Sequence, residues 1–278
     1  MTLIAITGTS GHVGGRVARL LGDDVGRIIA RDPYRALRLP HQPHMRVAAY
    51  GDADAARGAL EGVDLLFMVS GSESPTRREE HRTFIAAAAE AGVGHIVYTS
   101  FVGAGPDAHF TLGRDHGDAE EAIRASGMRF TLLRDNFYSD FMPVFAGEDG
   151  VIRGPAGDGR VAAVARADVA DVAAAVLRAP EQHLDAVHHL TGPEAFTLAE
   201  AAERMSAALE RPIRFEDETL EQAYESRRRW SDEQWQLDAW VSTYTAIREG
   251  EVEAVSTDVE TITGHPARSL EAALAAQA

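Results

Sequence analysis

Residues 2–21, TLIAITGTSGHVGGRVARLL, set a short apolar run directly against three glycines spaced by three, and a helical pattern follows at once. Such a junction is the opening βα unit of a sheet whose two faces are both covered. Within Gly8-Thr9-Ser10-Gly11-His12-Val13-Gly14, glycine lets the backbone turn and approach a ligand where a Cβ would clash. Backbone N–H groups and the helix N-terminus can then face a pyrophosphate, which points to dinucleotide binding; the alternative is a tight strand-to-helix turn with no ligand.

The alternation continues through RIIA, MRVAA, VDLLFMVS, HIVYTS and RFTLL, with helices expected over 53–60, 75–91 and 115–126, the second capped by Ser74-Pro75. The fold class is therefore α/β, a Rossmann-type doubly wound parallel sheet. After Leu133 the pattern loosens. GEDGVIRGPAGDGR suggests a loop or hairpin, and VAAVA, a helix from about Asp168 and VHHLTG look like a return to the sheet. Helical patterns dominate from 197 onward, with a strand candidate at PIRFED. This divides the chain into a core of 1–135 with 160–192 returning to it, and a small, mainly helical lobe from 136–159 and 193–278. At 278 residues, one large α/β domain with such a lobe is the expected size.

The formal charge of −16 repels phosphate backbones and anionic headgroups, which argues against nucleic acid and membrane partners. No cysteine is present, so disulfides, thiolate nucleophiles and the usual zinc frameworks are excluded, in keeping with a reducing compartment. The first strand is too short for a signal or membrane segment, and the expected location is cytoplasmic. All 27 basic residues are arginine. Without lysine there is no Schiff base and no P-loop cation. Arg31, at the end of RIIA, favours NADP(H), because a guanidinium pairs with a 2′-phosphate where an NAD(H) site wants a carboxylate. Neighbouring Asp32 keeps NAD(H) as the lesser alternative, and Arg35 is either a second phosphate contact or simply solvated.

Taken in order, ITGTSGHVG, IIARDP, HRTFIAAAAEAGVGHIVYTS, FTLLRDNFYSDF, VARADVADVAAAVL and TITGHPARSLEAAL resemble the NmrA-like branch of the atypical short-chain dehydrogenases, especially its bacterial quinone and triphenylmethane dye reductases. The resemblance implies that Ser70, Gly71, Thr99 and Ser100 line the cofactor, and that the C-terminal lobe closes over the nicotinamide end. Relatives often end the third strand with an acidic residue near the adenine. Here that place holds Ala49, with Asp52 nearby as a substitute.

Standard short-chain dehydrogenases acidify a tyrosine with a lysine, and this chain has no lysine. An acceptor that takes hydride without needing a strong acid, such as a quinone-like or dye-like aromatic molecule, suits that constraint, because alignment alone supplies about 7–11 kcal/mol. Asn136, Tyr138 and His116 are the candidates for polar groups at the substrate end. Their bland counterparts are a turn former, a packing tyrosine and a helix-surface histidine; the sharp reading of His116 is a proton shuttle with a pKa near neutrality. His183, His188 and His189 do not suggest one shared metal, since neighbours in a strand face opposite ways, and no metal site is expected. Asp168 reads as a helix N-cap, Arg227-Arg228-Arg229 as a solvated face, and Ser231 with Gln234 as a capping box. Trp230, Trp235 and Trp240 do not share one helical face, so some leave the core side. Two further readings stand beside the reductase: a non-catalytic NADP(H) sensor acting through a protein partner, and an epimerase, which lacks its Tyr-Lys pair. Homodimerisation is left open.

Overall fold

A computed structural model describes residues 2–276. The chain forms β1 (Ile4–Ile6), α1 (His12–Leu21), β2 (Val25–Ala30), β3 (His44–Val47), α2 (Ala53–Leu60), β4 (Leu65–Met68), α3 (Arg77–Glu90), β5 (His95–Phe101), α4 (Thr111–Ala125) and β6 (Arg129–Asp135). There follow a 3₁₀ segment (Ser139–Ala146), β7 (Val151–Gly154), β8 (Arg160–Val161), α5 (Arg166–Arg178) and β9 (Ala186–Leu190). The last part contains β10 (Phe196–Thr197), α6 (Leu198–Ala208), β11 (Arg214–Asp217), α7 (Leu220–Arg227), α8 (Gln234–Arg248), α9 (Asp258–Thr263) and α10 (Leu270–Ala275). No described helix is long and apolar enough to cross a membrane.

The seven-stranded sheet has the order β3-β2-β1-β4-β5-β6-β9, and the β3-β2, β2-β1, β1-β4 and β4-β5 pairs all run parallel. This is the doubly wound Rossmann order with one further strand, as the alternation of apolar runs implies. Every residue of β1, β4 and β5 is buried, which is why these strands read as unbroken apolar segments.

Contacts divide the chain into two compact units. The first comprises 1–100, 115–134 and 169–188, and its core includes Ala5, Ile29, Leu60, Leu66, Phe84, Ile96, Tyr98, Ile123 and Leu132. The second comprises 101–114, 135–168 and 189–278, with a core built on Phe101, Phe110, Met142, Ile152, Phe196, Leu198, Met205, Tyr244 and Ile247.

Several local expectations are corrected. The 151–161 region is not a hairpin: β7 pairs in parallel with β11, and β8 pairs antiparallel with β10. Helix α3 starts two residues late, with Thr76 at its N-cap and the Arg77 N–H donating to the Ser74 carbonyl. Ser231 makes no capping box, because its Oγ accepts from the N–H of Glu233, which is itself the N-cap of α8. Asp168 lies inside α5 rather than before it, and its buried carboxylate accepts from the Arg268 N–H (2.8 Å) and guanidinium. Trp230 is 62% exposed and carries the Arg229 guanidinium 4.0 Å over its ring.

Arg227 departs furthest from expectation. It is buried, not solvated, and its Nη1 donates to Glu218 (3.0 Å) and the Ala223 carbonyl while Nη2 donates to the Arg153 carbonyl (2.8 Å). Its guanidinium also lies 4.9 Å from the Tyr244 ring centre. A solvated arginine would change stability by under about 0.5 kcal/mol on truncation, whereas removing one partner of a buried pair costs about 3–5 kcal/mol. Urea unfolding of Arg227→Ala is expected to give the larger loss.

Candidate functional site

The first βα junction is shaped by two close approaches. Gly8 has φ +66°, and a Cβ on it would lie 2.7 Å from the Val69 Cβ at the end of β4. Gly14 packs so tightly that a Cβ would lie 2.5 Å from the Gly8 carbonyl oxygen. Protein packing thus demands glycine at both positions. Gly11 is different: it is exposed, and a Cβ there would meet only the Gly8 oxygen at 3.4 Å, an ordinary contact. The missing side chain leaves the backbone at Gly11 open to the close approach of a ligand.

Gly11 is also the N-cap of α1, so no side chain caps the helix, and its first turn contains no acidic residue. The leading N–H groups of α1 are therefore open to an anion. Thr9 Oγ1 is buried without a hydrogen-bond partner among the described residues. Ser10 and His12 are exposed beside these groups, while Val13 is buried in the core. Donors, dipole and missing side chain together fit a diphosphate.

The next strand ends in a free cation. Arg31 directly follows β2, is exposed, and has no side-chain hydrogen bond or ion pair among the described residues. Asp32 is engaged in its own turn, where Oδ1 accepts from the Tyr34 N–H at 2.9 Å. Arg35 is exposed as well. Asp52, considered as an adenine contact, instead caps α2 by accepting from the Ala55 N–H.

A family model described as NAD(P)H-binding matches residues 8–180. Quinone oxidoreductase 2 of Escherichia coli is 38% identical over 212 residues, 73% of each chain. The chain belongs to the NmrA-like, NAD(P)H-binding branch of the atypical short-chain dehydrogenases. The NADPH complex of an Escherichia coli NADPH-dependent quinone oxidoreductase superposes with a TM-score of 0.89 at 31% identity over 99% of both chains. Citrobacter sp. triphenylmethane reductase complexed with NADP(H) gives a TM-score of 0.86 at 27% identity, covering 99% of this chain and 100% of that one.

In this NmrA-like chain the segment after β4 is held by hydrogen bonds on every peptide. The Val69 N–H donates to Thr7 Oγ1 (2.9 Å), and the Tyr50 hydroxyl donates to the Val69 carbonyl (2.6 Å). Thr7 Oγ1 and the Tyr50 hydroxyl are 2.6 Å apart, which closes the ring. The Ser70 N–H donates to Thr99 Oγ1 at 2.8 Å, and the Gly71 N–H to His81 Nε2 at 2.8 Å. Of the residues the resemblance pointed to here, Ser70, Gly71 and Thr99 meet at one place. Ser100 is fully buried, and its hydroxyl donates to Glu120 (2.6 Å), whose carboxylate also binds Arg134 through two nitrogens at 2.8 and 2.7 Å.

The three candidate substrate-end groups each have hydrogen-bond partners within the chain. Asn136 is buried in the second unit, where Nδ2 donates to the Val252 carbonyl (2.9 Å) and Oδ1 accepts from the Phe137 N–H (2.7 Å). The Tyr138 hydroxyl donates to Asp135 Oδ2 at 2.7 Å, and burial together with that carboxylate pushes its pKa well above the usual phenol range. His116 belongs to the first unit, buried between Tyr98 and Arg77. Burial first, then Arg77 and His81, push its pKa well below the ordinary histidine value. The sequence reading missed His81 and Arg77; both lie in the quoted HRTFI region or just before it, but only the fold brings them against Gly71.

Burial and Arg77 likewise lower His81 to about 3. A histidine whose folded pKa is depressed takes up its proton in the unfolded chain first, so its contribution is complete above about pH 6.5 and is lost as pH falls toward 3. Each such histidine contributes a slope of ~1.4 kcal/mol per pH unit inside that window. Denaturant unfolding at pH 7, 6 and 5 should show falling stability, and His116→Phe should flatten the slope.

Proposed function

We propose that this chain is an NADPH-dependent reductase that delivers hydride to a quinone-like or conjugated dye-like acceptor. The observation that carries the reading is Arg31: an exposed guanidinium at the end of β2, unpaired among the described residues, with the neighbouring Asp32 carboxylate already engaged in its own turn. A 2′-phosphate satisfies it and a ribose hydroxyl does not. The relatives named above support the reading through an NADPH-bound quinone oxidoreductase and an NADP(H)-bound dye reductase.

When bound, the cofactor supplies a hydride from its nicotinamide ring. The chain's own part is to bind the diphosphate on the Gly8–Gly14 loop, to select the extra phosphate with Arg31, and to hold the wall at Ser70, Gly71 and Thr99 rigid. Positioning of this kind accounts for much of the barrier reduction in a transfer between aligned partners. The chain has no lysine to acidify a phenol, and Tyr138 is held protonated against Asp135. Acceptors that delocalise the incoming charge therefore suit it better than simple ketones.

Purified protein mixed with NADPH and a panel of quinones and triarylmethane dyes is expected to oxidise the cofactor above the protein-free rate. Arg31→Gln should raise the KM for NADPH at least tenfold and leave that for NADH within about twofold. Tight NADPH binding with no turnover of any acceptor would favour a cofactor sensor instead.

A further inference from the structure

We propose that His81, Arg77, Tyr98 and His116 form a buried clamp on the Gly71 peptide that fixes the wall of the nucleotide site, which makes His81 and Arg77 positioning residues for cofactor binding. The inference rests on the cofactor reading above. It goes beyond that reading because neither residue lies in the glycine loop or at the substrate end.

Gly71 is gripped on both sides of its backbone. Its N–H donates to His81 Nε2 (2.8 Å), and its carbonyl accepts from Arg77 Nε (3.0 Å). The two side chains stand four residues apart on one face of α3, so a single helical register delivers both. Arg77 and His81 are both buried, at 3% and 0% exposure. Beneath them, Arg77 Nη2 lies 3.1 Å from His116 Nε2, and Arg77 Nη1 is 3.5 Å from Asp115.

The donors fix the tautomers. A backbone N–H can only donate and a guanidinium can only donate, so Nε2 of both His81 and His116 must accept. Each neutral ring then carries its proton on Nδ1, and both Nδ1 atoms face the Tyr98 hydroxyl oxygen, at 3.4 and 3.1 Å. Protonating His81 at Nε2 would turn the acceptor for Gly71 into a second donor and break the grip. Burial and Arg77 oppose that protonation, as the depressed His81 pKa reflects.

The clamp has a place in the site. The Gly71 peptide continues the wall whose Val69 end packs on the Cα of Gly8, and a Cβ on Gly71 would meet His81 Nε2 at 3.2 Å. A Gly71 peptide free to rotate would change which backbone groups that wall turns outward. The expected signature is a change in nucleotide affinity with the chemical step preserved.

Two measurements test the clamp. In ¹⁵N NMR of the wild-type protein, the side chains of His81 and His116 should both be the Nδ1–H tautomer at pH 7, and His81 should remain neutral at pH 5; an Nε2–H tautomer or protonation at pH 5 in His81 overturns the proposal. In NADPH titrations and steady-state assays, His81→Leu should raise Kd and KM for NADPH at least tenfold with kcat within about twofold. His81→Gln, whose amide oxygen can again accept from Gly71, should recover to within about threefold of wild type. Wild-type affinity in His81→Leu, or equal losses in both variants, overturns the clamp. Absence of NADPH binding by the wild type would instead overturn the cofactor reading, and the tautomer measurement would still decide the clamp.

Discussion

Gly8 resting against Val69 is the contact on which the nucleotide site depends. The left-handed backbone at Gly8 turns the chain out of β1 in the space that its own missing side chain leaves beside β4. Gly14 then brings α1 down onto the same carbonyl. Without both approaches the helix would stand off the sheet, and its open N-terminus would not face the crevice at the carboxyl ends of β1 and β4. That crevice is where the strand order reverses direction, and ligands of open parallel sheets bind there.

The wall opposite the loop has little freedom left. From Val69 to Gly71 each N–H has a side-chain acceptor: Thr7, Thr99 and His81 in turn. A site assembled this way pays its ordering cost during folding rather than on binding, which is the physical content of preorganisation. It also accounts for the burial of Thr7, Arg77, His81 and Thr99, each of which bonds a backbone group of this segment.

The sheet was legible in the sequence because fully buried parallel strands produce unbroken apolar runs, and glycines forced by packing cannot be anything else. The position of Arg31 was legible for a similar reason, since it follows directly from the end of a strand. The roles of Asn136, Tyr138, His116 and Arg227 were not, because each depends on partners distant in sequence: Val252 for Asn136, Glu218 and Arg153 for Arg227, Tyr98 and Arg77 for His116. Residue type suggests what a group can do; only the fold decides whether its hydrogen bonds are already spent. Tyr138 lies three residues from Asp135, yet that bond also needed the turn after β6 to bring the phenol back.

The charge balance sharpens the part played by Arg31. A chain of net charge −16 repels a cofactor with several phosphates at long range, so the overall field does not recruit it. At physiological salt that repulsion fades beyond about 8 Å, and what remains is set by groups in direct contact. Two such sources in the first unit are the N-terminus of α1, which no side chain caps, and the Arg31 guanidinium, which has no partner among the described residues. Elsewhere in the chain arginine after arginine is matched to a carboxylate, as in the Arg16–Asp171, Arg134–Glu120 and Arg204–Glu271 pairs. Arg31 shares its lack of a carboxylate partner among the described residues with the exposed Arg19, Arg35, Arg38 and Arg46, and what sets it apart is its place directly after β2, at the carboxyl edge of the sheet.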